Sequence, residues 1–202
     1  MLSRIKSLAG RILLLRDKYI QRHRFIKNNN GNIHPSIEIS GAEYIKTGLG
    51  CCIGEGSKLL CKDFYTSGIT TQPLKPNLQI GYNFHATRNL VIQCGGSINI
   101  GNNVLIASDV FIIDYNHGMN ASYPNYLDSP LEIHDINISD GVWIGNNVII
   151  LPGVSIGKKC IIAAGSVVTK SIPDYTIAAG NPAKVIKYWD HKTKQWLRIN
   201  DH

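Results

Sequence analysis

No run of about 18 consecutive apolar residues occurs in the 202-residue chain, so a membrane-spanning helix is not expected. Charged side chains make up only 17% of it, well under the roughly 25% of an ordinary globular protein. The five cysteines (Cys51, Cys52, Cys61, Cys94 and Cys160) are odd in number and follow neither Cys-x-x-Cys nor zinc-ligand spacing. That argues against a disulfide framework or a zinc ribbon and for reduced thiols used as packing. The opening MLSRIKSLAGRILLLR is not read as a signal peptide, because Arg11 and Arg16 interrupt its apolar stretch and no small-residue cleavage site follows. A cytoplasmic protein is expected on these grounds.

Hydrophobic residues at 44% allow a real core, and 19 glycines with abundant isoleucine and valine suit short strands and tight corners. The net charge of +7 is confined to one place. Residues 1–27 carry eight Lys or Arg against Asp17 alone, and the rest of the chain is balanced. A folded nucleic-acid-binding surface would carry the excess itself, so no nucleic acid partner is expected. Within residues 2–26, Leu2, Ile5, Leu8, Ile12, Leu15, Tyr19 and Ile20 recur at helical steps with cations between them. Residues 1–30 thus read as a basic amphipathic helix ended by Asn28-Asn29-Asn30-Gly31. It packs either on the body or a neighbouring subunit, or on an anionic membrane surface, which would place the protein at the inner membrane.

After residue 27 the helical period disappears and a period of six replaces it. Ile138, Ile144, Ile150, Ile156, Ile162 and Val168 stand at strict six-residue steps, and Val142, Val148, Val154, Cys160, Ser166 and Ile172 form a second ladder. Upstream copies run through Ile100, Ile106 and Ile112, through Ile80, Ala86, Ile92 and Ile98, and through Ile33, Ile39, Ile45, Ile53 and Leu59. One strand plus one corner per hexad, three hexads to a coil of about 18 residues, describes a triangular parallel β-helix. Residues 31–182 are assigned to it, and residues 183–202 to a short helical segment capping its C-terminal end. Two stretches break the ladder. Residues 62–79, with Pro73, Pro76 and three threonines, read as a loop. Residues 117–137 lie in the 26-residue step from Ile112 to Ile138 and read as a long extruded loop, which a solenoid commonly uses to build a site.

The segments IGNNVLIASDVFIIDYNHG (100–118), VWIGNNVIILPGVSIG (142–157), IIAAGSVVTKSIP (161–173) and IAAGNPAKVIK (177–187) resemble the hexapeptide-repeat acyltransferases. Among these, the bacterial O-acetyltransferases of lipopolysaccharide O-antigen and capsule are the most similar. The resemblance implies an all-β, left-handed parallel β-helix, acetyl-CoA as co-substrate with no metal, and a saccharide acceptor. It also implies a homotrimer whose sites lie between adjacent subunits. His117 in DYNHG matches the family's general base, and a neutral imidazole suits deprotonation of a sugar hydroxyl. The backbone N–H of Asn146 matches the donor to the tetrahedral oxyanion. Trp143 matches a residue beside the acetyl and acceptor positions, and Ala164 and Thr169 match positions along the pantetheine arm. Lys170, Lys184 and Lys187 match basic residues near the phosphates of CoA.

Asp114 and Asn116 flank His117 and are candidates for orienting its ring or binding the acceptor, or equally for capping their own backbone as polar corner residues. Related sugar acetyltransferases use an asparagine where this chain has Thr87, with Asn89 two residues on, so the acceptor stays open. A xenobiotic or amino-sugar acetyltransferase shares nearly every motif. A metal-dependent hydratase would need three histidines meeting across an interface; His85 and His134 are candidates beside His117, but no ligand spacing supports it. A non-catalytic scaffold would bind no CoA, and the DYNHG and VWIG motifs argue against it.

Overall fold

A computed structural model describes residues 16–17, 19–27 and 31–199. Residues 19–27 are helical, while residues 1–15, where most of the amphipathic pattern and its membrane reading fall, lie outside the described residues. No helix among the described residues is long and apolar enough to cross a membrane.

Each hexad puts one branched apolar side chain inward and turns a corner, and the coils stack into three faces. The first face contains Asn32–Ile33, Cys52–Ile53, His85–Ala86, Leu105–Ile106, Trp143–Ile144, Ile161–Ile162 and Thr176–Ala179. The second contains Glu38–Ser40, Lys58–Cys61, Val91–Cys94, Phe111–Ile113, Ile149–Ile150 and Val167–Val168. The third contains Ile45–Thr47, Asn77–Ile80, Ser97–Ile100, Ile136–Ile138 and Ser155–Ile156. Pairing between coils is parallel, with Trp143 opposite Ile161 and Ile149 opposite Val167, each one 18-residue coil apart. Every residue of both ladders is buried, from Ile138 to Val168 and from Val142 to Ile172. Each fully buried isoleucine contributes about 1.5–3 kcal/mol of burial, and stacking makes the contribution continuous along the axis. Corners are tight: a Cβ on Gly145 would stand 2.6 Å from the Ala164 nitrogen of the next coil.

The outer rows differ by face. Leu105, Trp143, Ile161 and Ile177 line up outside the first face, and Val91, Phe111, Ile149 and Val167 outside the second. The third carries Gln79, Asn99, Asn137 and Ser155 instead.

Both ends of the solenoid are covered. At the N-terminal end the helix inserts Phe25 into the main core, and Gln21 Oε1 accepts the Gly41 N–H at 2.8 Å. The C-terminal cover corrects the helical expectation. Thr176–Ala179 pairs antiparallel with Lys184–Asp190, which pairs antiparallel with Gln195–Arg198. Exposure alternates along Lys184–Tyr188 with a period of two, the signature of a half-covered strand. Asp190 makes the turn by accepting from the backbone of Lys192 and Thr193 and from the Thr193 hydroxyl.

The two ladder breaks are also more ordered than loops. Phe64–Thr66 and Thr71–Pro73 form an antiparallel hairpin. Tyr115–His117 and Leu131–Ile133 form a second antiparallel pair, so the extruded segment is an arm whose tip, residues 118–130, holds one 3-10 turn at Tyr126–Asp128. The hairpin and the arm pack together around a small core of Leu74, Tyr115 and Leu131, flanked by Tyr65, Ile113 and Ile133.

Candidate active site

His117 ends the outgoing strand of the arm and is exposed, clear of the packed interior. Its ring meets Tyr65 of the hairpin edge-on, with centroids 5.7 Å apart and the Tyr65 hydroxyl 3.3 Å from Nδ1. Gly118 follows because the chain folds back at once: its N–H donates to the Pro130 carbonyl at 3.0 Å, and a Cβ there would stand 2.2 Å from Ser129 Oγ. The hairpin grips the arm at several points. Gln72 donates to the Leu131 carbonyl at 3.1 Å and accepts the Leu131 N–H at 2.7 Å. Thr70 donates to the Asp128 carbonyl, Ser67 to the Asp128 carboxylate, and Asn125 also donates to that carboxylate. An otherwise solvated loop is thereby fixed beneath the imidazole.

Asp114 stands at the root of the arm, and the structure decides among its expected roles: it binds backbone and neither an acceptor nor the His117 ring. It is fully buried, and its two carboxylate oxygens accept the N–H groups of Gly95 and Gly96 at 2.8 and 2.9 Å. Fully buried and engaged through both oxygens, the carboxylate is out of an acceptor's reach, so Asp114 anchors the arm. Burial raises its carboxyl above the usual carboxylate range, with the two N–H bonds pulling it back down. A raised folded-state value means the folded chain holds the proton more tightly. The stability drawn from this group therefore falls as pH rises from the ordinary carboxylate range through the raised value. Asp114→Ala is expected to lower stability by about 2–4 kcal/mol, through two N–H groups left without an acceptor, measured as a shift in urea midpoint.

Asn116 is exposed and lies opposite Glu132 across the arm. His85 lies on the outer row of the first face, His134 at the base of the returning strand, and His117 on the arm. Among the described residues no group of three His, Cys, Asp or Glu side chains gathers as a metal would need.

The edge between the first and second faces holds a different arrangement. At many corners the second residue after the strand has its N–H accepted by an Asn or Asp side chain from the next coil. Asn102 does this for Tyr82, Asp140 for Asn102 and Asp174 for Lys158 where the third face turns into the first, and Asn146 does it for Ser108 on the edge between the first and second faces, at 2.7–3.1 Å. The next-coil counterpart of Asn146 is Ala164, which has no side-chain oxygen. The Asn146 N–H therefore has no acceptor among the described residues, even though its own Oδ1 and carbonyl are engaged by Ser108 and Gly165. Around Gly165 there is open space, with nothing within 4 Å of a Cβ placed there.

Residues 135–170 match the family described as bacterial transferase hexapeptide (six repeats). Galactoside O-acetyltransferase of Escherichia coli (strain K12) is 34% identical over 163 residues, covering 81% of this chain and 75% of that protein. The chain belongs to the hexapeptide-repeat acetyltransferases. WbbJ of the same organism, named as a lipopolysaccharide biosynthesis O-acetyl transferase, is 44% identical over 108 residues, covering 50% of this chain. The chain spans about half the length of several curated relatives it matches, 55% in this case. Among solved structures, the N-acyltransferase AntD from Bacillus cereus, in complex with dTDP and 3-hydroxybutyryl-CoA, superposes with a TM-score of 0.66. It is 22% identical, over 81% of this chain and 82% of that one, a likeness that shows the fold: the left-handed parallel β-helix.

In this hexapeptide-repeat acetyltransferase, Thr87, Asn89, Asn146 and Ala164 stack on one edge of the prism. Thr87 is exposed and shares a 2.8 Å hydrogen bond with the Ser108 hydroxyl. Asn89 is a corner residue at φ 52°, and its amide donates to Asp109 at 2.8 Å, so its side chain is committed to the corner ladder. Trp143 is 48% exposed on the first face and lines a cleft of about 410 Å³ with Lys159, Ile161, Tyr175, Trp189 and Trp196. Lys184 begins the antiparallel strand opposite Ala179, and Lys187 lies opposite Ile177. Thr169 and Lys170 are exposed at the corner between the second and third faces. His117, Asp114 and Asn116 leave the prism at that same edge, so one chain separates His117 from the Asn146 N–H by the width of the second face.

Sequence reasoning missed Tyr65, Gln72 and Asp128, which hold the arm, and the paired Trp189 and Trp196 beside Trp143. Prolines hid the hairpin, though Phe-Tyr-Thr and Thr-Thr-Gln around Ser67-Gly68 carried a strand–turn–strand signal.

Proposed function

We propose that the protein transfers an acetyl group from acetyl-CoA to a hydroxyl of a saccharide in bacterial surface-polysaccharide biosynthesis, O-antigen or capsule, with His117 as general base. One observation carries the reading: an exposed histidine on an arm hydrogen-bonded to the neighbouring hairpin, in a chain 34% identical to a galactoside O-acetyltransferase over 81% of its length. The name of WbbJ supports the polysaccharide context.

The residues present fit acetyl-CoA. The unmatched Asn146 N–H, the exposed Ala164 and the open space at Gly165 line one edge, with Lys184 nearby for phosphate; Thr169, Lys170 and Lys187 extend the same end of the prism. His117 takes the proton of the acceptor hydroxyl as its oxygen attacks the thioester carbon. The Asn146 N–H donates to the carbonyl oxygen as negative charge builds there. The carbon–sulfur bond then breaks, and the imidazolium returns its proton to the departing thiolate.

Because His117 and Asn146 lie on different edges, a site that uses both is completed by a neighbouring chain. The apolar outer rows of the first and second faces supply surface for such packing, whereas the third face is polar, and a closed ring of three copies brings unlike edges together. The test is thiol release from acetyl-CoA across a panel of galactosides, other saccharides and amino sugars, on protein whose mass is measured by light scattering. Turnover of a hydroxyl acceptor by a trimer supports the reading. Preference for an amine moves the acceptor class, and turnover by a monomer removes the shared site.

A further inference from the structure

We infer that Tyr65 is a positioning residue that fixes which nitrogen of His117 is basic, holding the proton on Nδ1 and leaving the Nε2 lone pair free. The inference rests on the reading of His117 as general base and adds the device that selects its tautomer.

A tyrosine hydroxyl has one proton to give. Here that oxygen makes two contacts, one to the Leu127 carbonyl in the arm and one to His117 Nδ1 at 3.3 Å. The carbonyl has no proton and only accepts, so the short contact with Leu127 takes the proton of Tyr65. Toward His117 the phenol oxygen then offers a lone pair, and the ring nitrogen facing it must be the N–H. No other hydrogen-bond partner of the His117 ring exists among the described residues, so this contact is what distinguishes the two nitrogens. The reverse arrangement, with Tyr65 donating to Nδ1, leaves the Leu127 carbonyl without its donor. It also puts the imidazole proton on Nε2, where the ring has no lone pair for an acceptor proton.

The hydroxyl is itself held in place. Tyr65 pairs with Gln72 across the hairpin, and Gln72 clamps both the N–H and the carbonyl of Leu131, opposite His117 on the arm. The Tyr65 ring packs against the small core of Leu74, Tyr115 and Leu131 and meets the imidazole at 66°, which limits rotation of His117. Hairpin and arm thus form one unit, whose product is a histidine with one defined basic nitrogen.

The test uses the purified full-length protein, labelled with ¹⁵N in histidine, and two-bond ¹H–¹⁵N spectra recorded where His117 is neutral. In the native protein the His117 spectrum is expected to show protonated Nδ1 and unprotonated Nε2. Tyr65→Phe keeps the ring and removes the oxygen; it is expected to shift His117 toward the opposite tautomer and lower kcat about tenfold, with KM for acetyl-CoA unchanged. Gln72→Ala loosens the same hairpin and is expected to retain the Nδ1–H tautomer. A native spectrum with the proton on Nε2 overturns the inference, whether or not the variant folds. So does full kcat with an unchanged tautomer in Tyr65→Phe, or a tautomer shift in Gln72→Ala as large as in Tyr65→Phe. Retained acetyl transfer in His117→Ala instead overturns the general-base reading, while the spectra still decide the tautomer.

Discussion

Replacing His117 with alanine is expected to lower kcat for acetyl transfer by about 10²–10⁴-fold, the usual contribution of a positioned general base. Thermal unfolding should stay nearly unchanged, within about 0.5 kcal/mol, because the side chain is exposed and belongs to neither core. The pairing of those two results is what discriminates. Loss of activity with loss of stability would describe a collapsed arm, as expected of Asp114→Ala, whose carboxylate holds the arm at its root. Loss of activity with the arm intact assigns the chemistry to the imidazole. Retained activity removes His117 from the mechanism.

The second large effect comes from adding a side-chain amide rather than deleting a group. Ala164→Asn places a side-chain oxygen at the position equivalent to Asn146, whose oxygen caps the Ser108 N–H of the preceding coil at 3.0 Å. The Asn146 N–H would then donate within the protein and no longer be available to a developing oxyanion. Activity is expected to fall about 10²–10³-fold, the usual consequence of losing one oxyanion donor. Stability should hold or rise by about 0.5–1.5 kcal/mol, the net worth of a new hydrogen bond. Activity assays together with urea denaturation check both halves. A variant that is more stable and nearly inactive is the expected result; a fully active one shows that the Asn146 N–H does not serve the reaction.

The two parts of the candidate site were legible to different degrees. Asn146 and Ala164 fall inside the strict hexads, where the register determines which residue stands above which, so their juxtaposition follows from counting. His117 was visible as the end of a hexad before a ladder break, and its exposure agrees with that corner position. Its supports were not visible. Tyr65 is 52 residues away from it, and Gln72 is 59 residues from Leu131, in a stretch with no six-residue period. Asp114 could be read as orienting the ring, binding an acceptor or capping its own backbone, because nothing local shows that two glycines 18 and 19 residues earlier donate to it. The C-terminal segment was misread as helical because capping segments of solenoids vary and Lys184–Asp190 is too short for its alternation to dominate. The turn at Asp190 and the partner strand Gln195–Arg198 settled it as a sheet.

The linear order of residues determined the solenoid, since a strict six-residue alternation of inward apolar side chains and corners leaves the chain one efficient way to bury them, coil upon coil. What it did not determine was the setting of the histidine. That depended on tertiary structure, because a hairpin and an arm lying outside the repeat obey no period, and their mutual grip arises only when the coils bring their roots together.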